Sequence, residues 1–298
     1  MKPLVTIIIP LFNRSTIIGE TIESILNQTY QQIEVLVIDD QSTDNSFQIA
    51  KSYEAVSNKI KAIQRKSSQK KGANSCRNIG LSLAKGHYIK WIDSDDLLSF
   101  NIIELQVDDL IKSNSDISVC RAKKFIQRTS YIEKEWLNEW GNINNNPTVE
   151  NFCSYKFIWH TCSGLWNINF LKKTSIWDEH LMNSQEWLFH LTALAYGANI
   201  STINEYGSFI RVHDNSMSHQ SNKKGNYYYN ECLARYKAMS VLHKKKYNVK
   251  QTYSLLFKKL IWYHLFIIYK GSPFLGIKTF LLYPRSIYYL MSKMFIKA

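Results

Sequence analysis

The chain has 298 residues, 45% hydrophobic and 20% charged, enough apolar material for a sizeable core and too much for a disordered protein. Its five cysteines, Cys76, Cys120, Cys153, Cys162 and Cys232, are odd in number and scattered without a C-x-x-C pair. Neither a disulfide framework nor a zinc site is expected, and a reducing cytoplasmic compartment fits. The formal net charge is +13, yet from Lys223 onward 15 Lys and Arg face the single acid Glu231, so residues 1–222 hold 22 basic and 23 acidic groups and are close to neutral.

The apolar run Leu4–Phe12 contains Pro10, is short and leads into "NRST" without a small-residue cleavage site, so it reads as a first strand buried on both faces and not as a signal peptide. Ile18, Ile22, Ile25 and Leu26 then recur at helical spacing, with Ser15 or Thr16 able to cap the start. "IEVLVID" is a second strand ending in Asp39 and Asp40, and "QSTDNS" is a turn before a helix through Phe47, Ala50 and Glu54. "IKAIQR" is a third strand, Asn74–Ala84 a helix closed by Gly86, and "HYIKWID" a fourth strand running into Asp93, Asp95 and Asp96. A helix over Ile102–Ile111 and a strand "DISVC" complete an alternation that predicts a doubly wound, mostly parallel sheet flanked by helices. Residues 127–147 look irregular. "WHTCSGLWNINFLKK" reads as a strand and a short helix, and Trp187, Leu188, Leu191, Leu194 and Ala195 share a helical face.

In such sheets ligands bind at the carboxyl ends of the strands, where Asp39, Asp40, Asp93 and Asp95 all fall. Crowded carboxylates repel one another, and a hard divalent cation carrying a substrate diphosphate would relieve that repulsion. Acids in "DSDD" would equally suit the start of the helix near Asn101, and Asp39 and Asp40 would suit an ordinary turn.

Taken together, "VTIIIPLFNRSTIIGETIESILNQTYQQIEVLVIDDQSTDNS" and "GANSCRNIGLSLAKGHYIKWIDSDD" closely resemble the family 2 glycosyltransferases, inverting enzymes of the GT-A fold that use nucleotide-diphosphate sugars. A weaker resemblance runs on through "SGLWNINFLKK", "DEHLMNSQEW" and "RVHDNSMS", to about residue 219. The resemblance implies an α/β GT-A domain over residues 1–219, with 1–120 binding the nucleotide sugar and 121–219 the acceptor; residues 220–298, outside it, read from their own pattern as a helical region. It implies that Pro10 and Phe12 line the nucleotide pocket, that Asp40 with Asp39 faces uracil, and that Arg77 lies near the diphosphate. Asp93, Ser94 and Asp95 form the D-x-D element. Asp95 or Asp96, with His213, would hold Mn2+ or Mg2+. Relatives carry "ED" at the start of a helix in the second half. This chain has Gln185 and Glu186, so Glu186 stands as the general base. Trp136, Trp140, Trp159, Trp166, Trp177 and Trp187 fall in the half that would bind a glycan or lipid-linked glycan acceptor.

The basic, aromatic tail lies outside the resemblance. Lys258, Lys259 and His264 interrupt its most apolar stretch, which is too short to span a bilayer, so helices on an anionic membrane surface are expected, peripheral to the inner face of the plasma membrane. A cap on the catalytic domain or an oligomer interface are the alternatives, and the Leu, Ile and Phe content argues against nucleic acid. A sugar-nucleotide pyrophosphorylase would need a Gly-rich basic loop where "PLFNRST" stands, and a dehydrogenase a G-x-G-x-x-G after the first strand. A catalytically silent nucleotide-sugar-binding assembly subunit is the rival that the "QE" departure keeps open.

Overall fold

The computed structural model describes residues 2–127, 134–174, 176–213, 225–247 and 250–269. Its organising strand is β1 (Val5–Leu11), all seven residues of which are buried. Such a run can be covered on both faces only if its neighbours are parallel strands joined through helices. β1 pairs in parallel with β2 (Ile33–Asp39) on one side and with β4 (Tyr88–Trp91) on the other, and β2 pairs in parallel with β3 (Ile60–Gln64). The connecting helices are α1 (Ile18–Leu26), α2 (Ser46–Val56) and α3 (Ala73–Leu83).

The two faces of β1 are divided by the alternation of its side chains. Ile7, Ile9 and Leu11 join a core with Val35 and Val37 of β2 and Ile18, Ile22 and Ile25 of α1. Ile8 points the other way, onto α3. There Gly80 allows the close approach, since a Cβ at that position would stand 2.4 Å from Ile8 Cγ2.

Beyond β4 the sheet continues as β8, β6, β9 and β5, giving the order β3-β2-β1-β4-β8-β6-β9-β5 with β7 on β6. β5 (Leu97–Leu98), α4 (Ile102–Ser113), β6 (Ile117–Gln127), β7 (Lys134–Trp140), β8 (Gly164–Asn167), α6 (Ile168–Leu171) and β9 (Ile200–Arg211) supply this half. β8 runs antiparallel to β4 and β6, and β9 parallel to β6. The fold is therefore α/β with a parallel half carrying the acids and a mixed half beside it.

Several elements differ from the sequence reading. β6 runs seven residues past Cys120, the expected end of "DISVC", and β7 occupies the segment that looked irregular, because its residues are mostly exposed and show no apolar alternation. β9 is equally polar. Neither Ser15 nor Thr16 caps α1, whose N-cap is Ile17. Ser15 N donates instead to Asp44 Oδ2 (3.1 Å) and Arg14 N to Ser46 Oγ (2.6 Å), tying the loop after β1 to the loop after β2.

The chain divides into two compact units. One comprises Met1–Asn144, Ile158–Glu179 and Ala198–Val212 and contains the whole sheet; the other comprises Asn145–Phe157, His180–Gly197 and His213–Ala298. The second is helical, built from α5 (Val149–Cys153), α7 (Gln185–Ala195), α8 (Gly225–Lys244) and α9 (Lys250–Tyr269), with Phe152, Leu191, Leu242 and Leu256 buried inside it. The sequence expectation of a continuous boundary at residue 219 thus meets a discontinuous division, in which two earlier segments belong with the tail. The last apolar-basic stretch of the tail, after residue 269, lies outside the described residues. Among the described residues no helix is long and apolar enough to cross a membrane.

Filling the α3–β1 contact should be costly. Gly80→Ala is expected to lower stability by about 1–3 kcal/mol through overpacking, read as a lower urea midpoint with unchanged m value.

Candidate functional site

The carboxyl ends of β1, β2 and β4 bring two groups of acids to one edge of the sheet. At the end of β2, Asp40 N donates to Leu11 O (2.8 Å), so the ladder carries the backbone just past the strand. The Asp40 side chain is fully committed: Oδ1 pairs with Arg65 Nε, and Oδ2 accepts from Gly72 N at 2.9 Å. Both side chains of this ion pair are buried, at 7% and 3% exposure. Gly72 is the N-cap of α3 and has φ +126°, a conformation that favours glycine.

Asp39 differs. Its Oδ2 accepts from Ser42 N (3.0 Å) and Gln64 Nε2 (3.1 Å), while Oδ1 is buried with no partner among the described residues. A buried carboxylate oxygen is expected to be satisfied, and this one stands out against the fully engaged Asp40. Pro10 lies buried beneath, and Phe12 is exposed with Lys71 Nζ 4.5 Å above its ring.

After β4 the three aspartates have separate partners. Asp93 Oδ1 accepts from Arg77 Nη2 at 2.6 Å; Arg77 also donates to Asn74 Oδ1 (2.9 Å), and its guanidinium lies 4.5 Å over the Trp177 ring. Asp95 Oδ2 pairs with Arg14 Nε at 3.3 Å, and Asp95 O accepts from Arg211 Nε at 2.9 Å. The Ser94 carbonyl accepts from Thr21 Oγ1 at 3.2 Å. Asp96 turns inward, where Oδ1 accepts from Arg211 N (3.0 Å) and Oδ2 from Cys162 Sγ (3.2 Å). Burial, and after it the charges of Asp95 and Asp93, push the Asp96 carboxyl well above the usual carboxylate range.

Side-chain exposure falls from 32% at Asp93 and 18% at Asp95 to 4% at Asp96. This decides which groups suit a hard divalent cation, which keeps several waters and takes oxygen ligands. Asp93 and Asp95 are reachable oxygen donors on one loop and fit such an ion. The atoms of Asp96, His160 and Cys162 lie within 4.8 Å of one another, but two of the three residues offer softer ligands. That group is also held together by hydrogen bonds of its own, His160 Nδ1 accepting from Cys162 N at 3.4 Å.

Glu186 is the second residue of α7, half-buried, and belongs to the helical unit, as does His213 two residues beyond β9. Of the tryptophans, Trp159, Trp166 and Trp177 are core residues, Trp187 is buried in the helical unit, and Trp136 is exposed. Trp140 and Trp159 line a cavity of about 220 Å³ together with Glu139, Asn142, Asn144 and Ser163, all within the sheet-bearing unit. Sequence reasoning missed Arg14, Arg65 and Arg211. Each sits at the end of a strand or just past it, but an isolated arginine carries no signal that distinguishes a buried partner from a solvated one.

A parallel-stranded nucleotide-binding type of sheet with paired carboxylates after its fourth strand defines a class of protein, and the comparisons give the family. The family model "Glycosyl transferase family 2" matches residues 6–169, and the chain belongs to this family. It is 30% identical over 227 residues to the UDP-Glc:alpha-D-GlcNAc-diphosphoundecaprenol beta-1,3-glucosyltransferase WfaP of Escherichia coli, covering 72% of this chain and 80% of WfaP. It is 35% identical over 119 residues to the glycosyltransferase GlyG of Streptococcus pneumoniae, covering 40% of this chain, and 26% over 224 residues to the uncharacterized glycosyltransferase EpsJ of Bacillus subtilis, covering 73% of it. The chain spans only 39% of GlyG and 64% of EpsJ. In fold it is similar to S. aureus TarS in complex with UDP-GlcNAc (TM-score 0.66, 18% identity, 88% of this chain and 72% of that one). It is also similar to the mannosyltransferase PcManGT of Pyrobaculum calidifontis in complex with GDP-Man and Mn2+ (TM-score 0.58, 13% identity, 98% and 84%).

The Asp40–Arg65 pair gives a direct test of this geometry. Asp40→Asn leaves a buried guanidinium without its counter-charge and is expected to cost about 3–5 kcal/mol, measured by chemical denaturation.

Proposed function

We propose that this chain transfers a sugar from a nucleotide diphosphate, UDP first among the candidates, to a hydroxyl of a glycan or lipid-linked glycan, with inversion and with Mn2+ or Mg2+. The observation that carries the reading is the reachable Asp93–Asp95 pair at the end of the fourth strand, held by Arg77 and Arg14, in a family 2 chain. WfaP's diphosphoundecaprenol acceptor and the nucleotide sugars of TarS and PcManGT support it.

In this reading Asp39 accepts from the nucleobase imide or a ribose hydroxyl, and Pro10 and Phe12 wall the base. Asp40, which the resemblance sets facing uracil, has both oxygens engaged and acts at one remove by fixing Arg65 and the start of α3. Asp93 meets the ribose or the sugar, and Asp95, with His213, holds the cation. The cation supplies charge neutralisation of the departing diphosphate. Asp96 holds the loop, since both of its oxygens already accept bonds from Arg211 and Cys162. Arg77 is a fixed cation beside the diphosphate. Glu186 takes the proton of the acceptor hydroxyl as its oxygen attacks the anomeric carbon and the bond to the diphosphate breaks on the opposite face, which inverts the centre. The cavity under Trp140 would receive a ring of the acceptor. Ile261, Trp262 and Leu265 are exposed on α9 beside Lys258 and Lys259, and we assign this helix to an anionic membrane surface at the inner face of the plasma membrane.

A panel of UDP- and GDP-sugars, with and without chelator, tests this. One donor is expected to turn over and to stop when the cation is removed; metal-independent turnover would take the role from Asp95. Binding of donors with no transfer or hydrolysis of any of them would favour the silent assembly subunit.

Glu186→Gln is expected to lower transfer by about 10²–10⁴-fold while UDP affinity, measured by calorimetry, stays close to wild type. An active variant would remove Glu186 as base.

A further inference from the structure

The turn that starts α7 is held from outside its own helix. Ser184, the N-cap, has φ +56° and ψ +14°, a left-handed conformation that is uncommon for a non-glycine residue. An N-cap serine ordinarily accepts a hydrogen bond from the second or third backbone N–H of its helix, and Ser184 makes no such bond. Its hydroxyl donates to Glu231 Oε1 and accepts from Arg235 Nη1 at 3.1 Å, both on α8. The two residues before it are tied to the same helix. Asn183 Nδ2 donates to Glu231 Oε1 (3.2 Å) and to Tyr227 O (3.3 Å), and Met182 N donates to Asn230 Oδ1 (3.0 Å).

The residue after Glu186 is gripped by the same face of α8. The Arg235 guanidinium lies 4.0 Å over the Trp187 ring, pairs with Glu231 Oε2 at 2.8 Å and donates to Tyr155 Oη at 2.9 Å. Tyr227, Glu231 and Arg235 recur at four-residue spacing and so line one stripe of the helix. The ion pair is buried, and burying two charges in a bundle that apolar side chains would fill equally well costs desolvation. The bonds the pair makes run to residues on both sides of Glu186.

We propose that Glu231 and Arg235 are positioning residues that hold the first turn of α7, and with it the Glu186 carboxylate, in its working orientation. The proposal rests on the reading of Glu186 as the base. It makes the C-terminal helical region, which lies beyond the family match at residues 6–169, part of the catalytic apparatus. A reacting group displaced by about 1 Å can lose on the order of a hundredfold in rate, so a tether of this kind has a measurable consequence.

The experiment uses the full chain and compares Ser184→Gly, Arg235→Met, Arg235→Lys and Glu186→Gln in transfer kinetics, a pH–rate profile and thermal melting. Glycine adopts the left-handed conformation freely, so Ser184→Gly removes the hydroxyl link to Glu231 and Arg235 while relieving strain. Its melting temperature is expected to hold or rise, its KM for donor to stay near wild type, and its kcat to fall by about 10- to 100-fold. The limb of the profile that reports the base should move, and Arg235→Lys should recover part of what Arg235→Met loses. Wild-type kcat in Ser184→Gly and Arg235→Met, in an enzyme that Glu186→Gln silences, would overturn the positioning role alone. So would an Arg235→Met variant that loses kcat, donor affinity and melting temperature together while Ser184→Gly is normal. An active Glu186→Gln would overturn the base, and the positioning role with it.

Discussion

The buried contact of Asp40 with Arg65 and Gly72 N is the constraint on which the sheet edge depends. It joins three elements at one point, the ends of β2 and β3 and the start of α3. α3 in turn carries Arg77, which holds Asp93. A carboxylate withdrawn from water is tolerable there because both of its oxygens are engaged and the counter-charge is equally buried. The adjacent Asp39, the last residue of β2, is also buried, but has one oxygen without a partner among the described residues. Two neighbouring aspartates are thus held differently, one by an ion pair and a backbone N–H, the other by Ser42 N and Gln64 Nε2 on a single oxygen.

The same division explains how three acids can crowd after β4. Asp93 and Asp95 each meet an arginine from a different loop, Arg77 and Arg14, and Asp96 is turned inward onto Arg211 N and Cys162 Sγ. Repulsion within the "DSDD" turn is offset locally, by Arg77 and Arg14. A ligand that brings its own cation would meet carboxylates already oriented by arginines.

How much of this was legible in the sequence depends on burial. Long apolar runs announce strands covered on both faces, and β1 and β2 were found within a residue or two of their ends. β7 and β9 escaped because mostly polar, half-exposed strands have no period to read. The aspartates were visible through their place at strand ends. What could not be read was their individual orientation, since Asp39 and Asp40, or Asp95 and Asp96, differ only in what the third dimension sets beside them. Arg65 and Arg211 escaped for the converse reason: a lone basic residue in sequence looks solvated, and only the fold shows it enclosed. The regrouping of segments 145–157 and 180–197 with the tail is likewise a tertiary fact, made by side chains that meet across long separations in sequence.

β7 has a consequence for the protein in concentrated solution. Among the described residues it pairs with β6 alone, so its outer backbone groups form an open rail onto which another copy's strand could add. Two of its charges turn back onto the sheet: Glu139 pairs with Arg121 and accepts from Tyr206 Oη, and Lys134 Nζ lies 5.6 Å over the Phe125 ring. The polar character that hid β7 from the sequence reading is therefore also what fastens it to β6 and to Tyr206 of β9.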